Sequence, residues 1–152
     1  MYMHLSGMGE TFIPNLPCLC ANVRRATRAL TQVYEEALRP VSLRATQLTI
    51  LQVLSRAGEV SQGQLGEMLA MDSTSLTRTL AIMSRRGWIA ERRGKDRRER
   101  LLSLSGEGKN KLKRGEQVWE RLQSRLQRQL GNETWNGLMR VTDEVARKIT
   151  TH

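Results

Sequence analysis

The chain has 152 residues, 39% of them hydrophobic and 4% aromatic, with 25 Lys and Arg against 15 Asp and Glu for a net charge of +10. That length suits one domain with an aliphatic core and leaves little room for a second, while the charge favours a polyanionic partner. No apolar run is long enough to span a bilayer and residues 1–11 lack the basic start and apolar core of a signal peptide, so a cytoplasmic protein without a membrane partner is expected. Cys18 and Cys20 are too close to staple distant parts of a fold, and His4 and His152 lie near the two ends, so neither a disulfide framework nor a metal site is expected.

Pro14 and Pro17 announce a first helix over residues 17–38. Its Leu19, Val23, Ala26, Leu30, Val33 and Ala37 recur at steps of four and three, a heptad seam, and Arg24, Arg25 and Arg28 mark a wetter side. Pro40 stops it. A second helix over residues 44–56 turns Leu48, Leu51 and Leu54 to the core, with Gly58 beyond its end. Ser61 and Gln64 have the spacing of a capping box and open a short helix whose Leu65, Met68 and Leu69 face inward. Asp72 caps the next helix. There Leu76, Leu80 and Met83 form the buried stripe, and Thr74, Thr77, Arg78, Ala81 and Arg85 the opposite face. Two short helices joined by a tight turn over residues 70–72 make a helix-turn-helix.

Gly87 ends that unit, and residues 88–93 and 99–104 read as two strands around the turn Gly94, Lys95, Asp96 and Arg97. The hairpin is strongly basic, with six Lys or Arg from Arg92 to Arg100. Ser105 caps a long helix reaching Leu130, with Leu112, Trp119, Leu122 and Leu126 on one side and Gly131 as terminator. A last helix to about Ile149 carries a second seam of Trp135, Leu138, Thr142, Val145 and Ile149. Seams at both ends would leave a monomer with exposed apolar stripes, so a homodimer is expected. Trp88, Trp119 and Trp135, like Met68, Met71 and Met83, are expected to be packing residues.

The fold class is therefore mainly α with a small β-hairpin wing. A winged helix-turn-helix over residues 44–105 sits between dimerisation helices over 17–42 and 106–150, all within a single domain over 1–152. Double-stranded DNA is the partner that fits: Ser73, Thr74, Ser75 and Thr77 are short enough to let their helix sit deep in a major groove, Arg78 reaches a guanine edge or a phosphate, and Arg85 shares that face. In the wing, Arg92, Lys95, Arg97 and Arg98 supply charge, and Asp96 is expected to hold the Arg98 guanidinium for entry into a minor groove. With no Gly-rich phosphate loop, no histidine beside a nucleophile and no paired carboxylates in an evident pocket, neither enzymatic activity nor a cofactor is expected. A winged helix that binds RNA or protein is the rival reading, against which the recognition face and wing contain no aromatic side chain for base stacking. A small redox enzyme built on the cysteines is a more distant one.

On Asp72-Ser-Thr-Ser-Leu-Thr-Arg78, on Arg86-Gly-Trp-Ile89 leading into the wing, and on Asp96-Arg-Arg98 followed by Leu102-Ser-Leu-Ser105, the sequence resembles the MarR family of bacterial transcriptional regulators along nearly its whole length. The resemblance implies a homodimer with interlocked terminal helices, a recognition helix in each of two major grooves, and Arg98 of each wing in a minor groove. It also implies an effector, either a small aromatic or lipophilic ligand between the dimer helices and the DNA-binding lobe or an oxidant acting on a cysteine. The N-terminal segment is similar to that of organic-hydroperoxide sensors, since Cys20 and Tyr34 keep their fourteen-residue spacing, although Ala45 stands where those sensors carry a second tyrosine. Fourteen helical residues rise about 21 Å, so only antiparallel packing in a dimer brings such a pair together. With Pro17 at the first helical position, Cys18 and Cys20 fall in the first turn near Arg24, the surroundings in which cysteines become reactive.

Overall fold

The computed structural model describes residues 15–149; Pro14, His4, His152 and the leader discussed above lie outside the described residues. Helix α1 (Leu19–Leu38) starts later than the proline signal implies, with Pro17 ahead of it and Cys18 as an extended N-cap. The Asn22 side-chain amide donates to the Leu16 carbonyl at 2.6 Å and the Cys18 carbonyl at 3.0 Å, which ties residues 16 and 17 down ahead of the helix, while the Cys18 carbonyl also accepts the first ladder bond, from Asn22 N at 3.0 Å. Only Cys20 of the two cysteines is therefore helical, and both are exposed.

A 3-10 turn (Arg39–Val41) containing Pro40 breaks the helix, and Ser42 in the left-handed region redirects the chain into α2 (Ala45–Ala57). Glu35 of α1 reaches across this corner: one carboxylate oxygen accepts from the Ala45 amide at 3.0 Å and the other pairs with Arg44 at 3.3 Å. A carboxylate on a helix N-terminus satisfies an orphan donor and suits the helix dipole, so α1 is tied to the start of α2. Leu48, Ile50, Leu51 and Leu54 of α2 are buried in the centre of the core.

A short strand β1 (Glu59–Ser61) follows, which the sequence reading lacked, and leads into α3 (Gln62–Leu69) and α4 (Ser73–Arg85). The capping box forms as expected: Gln64 N donates to Ser61 Oγ, and Ser61 N to Gln64 Oε1, each at 3.1 Å. Met68 departs from expectation. It is 59% exposed, because Leu65 and Leu69 take the inward line of this two-turn helix and leave Met68 on its shoulder. Leu76, Leu80 and Met83 of α4 are buried as the stripe predicts.

Gly87, at φ +78°, turns the chain out of α4 into β2 (Ile89–Arg93), which pairs with β3 (Arg100–Leu104). The sheet is antiparallel with order β1-β3-β2, so the wing hairpin is anchored by a third strand, with Val60 opposite Leu102 and both buried. Trp88 lies just before the strand, buried, with the Arg86 and Lys111 cations 5.4 and 5.2 Å from its ring centroid. Burial, then Arg114 and Arg86, hold the Lys111 ammonium below its ordinary pKa. Ser105 caps α5 (Gly106–Leu130) by accepting from Gly108 N at 3.0 Å. Gly108 lies so close to the Trp88 carbonyl that no Cβ fits there.

Helix α5 buries Leu112, Leu122 and Leu126 and packs against α1, α2 and α6. Helix α6 (Asn132–Ile149) buries none of its residues, and α1 buries only Leu38. The two seams stand open: Leu19, Val23, Leu138, Val145 and Ile149 are all exposed. Trp135 is half-buried, and Trp119 packs against the core from α5. No helix among the described residues is long and apolar enough to cross a membrane.

Candidate nucleic-acid interface

Two surfaces flank the three-stranded sheet. The first is the exposed side of α4. Asp72 at its N-cap accepts from Ser75 N and from Ser75 Oγ, both at 2.8 Å, and these bonds hold the Asp72 carboxyl below its ordinary pKa. The Ser75 hydroxyl is thus engaged inside the cap. Ser73, Thr74, Thr77, Arg78, Ala81 and Arg85 are all exposed, and the Arg78 and Arg85 side chains make no hydrogen bond or ion pair among the described residues. Thr77 Oγ accepts from Gln62 Nε2 of α3 at 3.0 Å, a link across the turn that local sequence pattern does not announce.

The second surface is the wing, whose six basic residues divide into two groups. Arg92 forms a two-pronged pair with Glu59, at 2.7 and 2.5 Å, reaching from β2 across β3 to β1. The hydrogen-bonded pair holds Glu59 below and Arg92 above their ordinary pKa values. Arg100 pairs with Glu91 at 2.6 Å, and Arg93 donates to the Arg97 carbonyl at 2.6 Å. These three guanidiniums brace the hairpin. Lys95, Arg97 and Arg98, at the tip, have no side-chain hydrogen bond or ion pair among the described residues.

Two sequence expectations change here. Asp96 does not hold the Arg98 guanidinium: its Oδ1 accepts from the Arg98 backbone N at 3.1 Å. A side chain as short as aspartate reaches the backbone two residues on, closing an Asx turn, more readily than the far end of an arginine. Arg92, expected to offer charge to DNA, has its guanidinium engaged by Glu59, and nothing local in the sequence points to a partner on a strand 33 residues away. Glu59, Arg93 and Gln62 are the residues the sequence reading missed. Glu59 and Gln62 act through contacts between elements, and Arg93 through the Arg97 carbonyl within its own hairpin.

The cysteines and tyrosine lie elsewhere. Cys18 and Cys20 sit at the exposed start of α1, while Tyr34, near its other end, donates its hydroxyl to Gln123 Oε1 of α5. Burial holds the Tyr34 phenol above its ordinary pKa. One chain does not bring Cys20 and Tyr34 together, since about 21 Å of helix rise separates them. Beside Tyr34, between α1, α2 and α5, is a cavity of about 250 Å³ lined mainly by Leu30, Leu48, Thr49, Gln52 and Trp119. Gln52 Nε2 is buried there without a hydrogen-bond partner.

These features were compared with known proteins. A model of the MarR family matches residues 42–99, from the corner before α2 to the wing tip. The uncharacterized HTH-type transcriptional regulator YwoH of Bacillus subtilis (strain 168) is 28% identical over 93 residues, 61% of this chain and 68% of that protein. The transcriptional regulator MosR of M. tuberculosis, crystallised in complex with DNA, is 30% identical with a TM-score of 0.77, the alignment covering 86% of this chain and 95% of MosR. A MarR mutant from E. coli, crystallised with operator DNA, has a TM-score of 0.74 over 84% of this chain and 92% of its own, and at 22% identity it speaks for the fold alone. With MosR 30% identical over 86% of this chain and the family model on its central part, the chain belongs to the MarR family.

Proposed function

We propose that the chain is a homodimeric regulator of transcription that binds duplex DNA, with α4 entering a major groove and the wing tip a minor groove. The observation that carries this reading is the division of the wing cations. Arg92, Arg93 and Arg100 are engaged within the sheet and its turn, while Lys95, Arg97 and Arg98 at the tip have side chains left unpaired among the described residues, on the same lobe as the likewise unpaired Arg78 and Arg85. Unpaired cations on a braced hairpin favour a polyanion, and an arginine held at a tip suits the negative potential of a narrow minor groove. Ser73, Thr74 and Thr77 supply short polar contacts beside Arg78, with Ser75 serving the cap. Asp96 shapes the tip through the backbone. The DNA complex of MosR supports the same partner here. On this reading residues 44–105 form the DNA-binding lobe, 17–42 and 106–150 the dimerisation helices, and the protein works in the cytoplasm as a binding protein, not a catalyst.

Release from an operator is assigned to an effector at the N-terminal side. Cys20 is exposed in the first turn of α1, and a partner protomer packed antiparallel would bring it towards Tyr34. The cavity beside Tyr34, with the unpartnered Gln52 amide, supports the other form of control, by a small and mostly apolar ligand. A gel shift on the DNA upstream of the protein's own gene, with random duplex as competitor, tests the function. Preferred retention of the upstream fragment is expected, and equal binding to random DNA would overturn the reading. Repeating it with an organic hydroperoxide separates the effectors: Cys20→Ser should keep binding and lose oxidant release. Release that survives in the Cys18→Ser, Cys20→Ser double variant would exclude the thiols in favour of the cavity.

A further inference from the structure

The recognition helix carries a hydroxyl whose hydrogen-bonding sense is set by a neighbour outside that helix. We propose that Gln62 determines part of the base preference of α4 by biasing the Thr77 hydroxyl towards donating to DNA; this rests on the reading of α4 as the major-groove helix. Gln62 is the first residue of α3, and its Nε2 donates to Thr77 Oγ at 3.0 Å. A hydroxyl has one hydrogen to give and two lone pairs to receive. With one lone pair engaged by Gln62, the Thr77 hydrogen is directed elsewhere.

A helical threonine ordinarily disposes of that hydrogen on the carbonyl four residues back. Thr79 does so with Ser75, and Thr49 with Ala45, each at 3.1 Å. Thr77 makes no such bond among the described residues, and its side chain is on the exposed face of α4. The sense of the amide is set by its surroundings: Gln62 Oε1 is buried with no partner among the described residues. The reverse orientation would bury an unpartnered NH₂ group instead, and orphaned buried N–H donors are rarer than under-satisfied carbonyl oxygens.

In the major groove an outward hydroxyl donor meets acceptors at guanine N7 and O6, adenine N7 and thymine O4, whereas the cytosine and adenine amino groups are themselves donors. A freely rotating threonine serves either kind. Thr77, held by Gln62, favours the acceptor edge. Gln62 is thus a positioning residue for specificity, acting through Thr77.

Enrichment of bound sequences from a library of randomised duplexes, with the full-length protein and four variants, tests the idea. Wild type should select an acceptor-rich base at one motif position, by roughly fivefold over cytosine for a single neutral hydrogen bond. Thr77→Val should lose that preference and Gln62→Ala should blur it. Gln62→Glu is the decisive variant, because a carboxylate only accepts: it takes the Thr77 hydrogen and turns a lone pair outward, so the same position should shift towards cytosine or adenine. Glutamate suits a first helical turn, and a melting curve checks that the variant is folded. Its carboxylate can also meet an amino group of a base directly, so a Gln62→Glu, Thr77→Val double variant is run beside it, and a shift that survives there overturns the role of Thr77. If Gln62→Glu or Thr77→Val selects the wild-type motif unchanged, the proposal is overturned. If wild type itself enriches no motif, the major-groove reading falls and this proposal with it, a failure visible before any variant is read.

Discussion

Between α2 and β3 no large apolar side chain is exposed apart from Met68, and Leu51, Leu65 and Leu102 are wholly buried, whereas α6 buries none of its own residues and α1 only Leu38. The two regions carry the same kind of sequence signal, an apolar stripe at helical spacing. In α4 that stripe is covered by the rest of its own chain. In α1 and α6 it faces outward, with Leu19 75% and Ile149 67% exposed. A stripe read from sequence says that a face will be buried without saying by what, and the contrast divides the chain into a lobe that completes its own core and two arms that await a second copy.

The largest effect that would test this contrast is on the lobe. Leu51→Ala removes a fully buried side chain and should lower stability by about 2–5 kcal/mol in denaturant titrations. A substitution on an arm should act on assembly: Val145→Asp is expected to convert the dimer to a monomer in sedimentation while leaving the lobe's helical signal in place. A wild-type protein that sediments as a monomer at micromolar concentration would erase the distinction.

Smaller effects sharpen the comparison within the lobe, between its recognition helix and its wing. Arg78→Ala should weaken operator binding by about 1–3 kcal/mol if the side chain reads a base, and an equal loss on random duplex would assign it to a phosphate. Asp96→Ala separates charge from shape in the wing. Deleting a negative charge beside DNA should tighten binding on Coulomb grounds, whereas losing the acceptor for the Arg98 amide should loosen the tip. Weaker operator binding is expected, alongside a larger loss for Arg98→Ala, while Arg92→Ala should act by releasing the hairpin from Glu59 of β1. Tighter operator binding by Asp96→Ala at two salt concentrations would reduce the wing to a solvated basic hairpin.

The smallest expected effect concerns acid. Bonds from Ser75 lower the Asp72 pKa in the folded protein, so at low pH the unfolded chain binds the proton more readily and stability rises with pH. The contribution of the cap is present above the ordinary aspartate range, near about 3.9, and is lost as pH falls through the lowered native value. Asp72→Asn should flatten that limb in pH-dependent melting.

Where the sequence read well, the physics was local. The Ser61 and Gln64 box, the Asp72 cap, the stripe of Leu76, Leu80 and Met83, and Gly87 after α4 all depend on residues within a few positions of one another. The start of α1 was misplaced because the Asn22 amide, a turn inside the helix, holds the carbonyls before it. Strand β1 was missed because three residues carry too little pattern, and it exists only because β3 is there to pair with it.

Composition and periodicity by themselves determined the helical class, the paired short helices, the basic hairpin and the polyanion-facing charge, because helix caps, stripes and turns are set by neighbours along the chain. Tertiary structure alone decided which of the wing's cations are available. Arg92 is engaged by Glu59, 33 residues away, and Thr77 is engaged by Gln62 across a turn, while Lys95, Arg97 and Arg98 remain unpaired among the described residues. Charge is a property of the residue and can be read from sequence; the partner of a charge depends on which elements pack together, and that depends on the folded core.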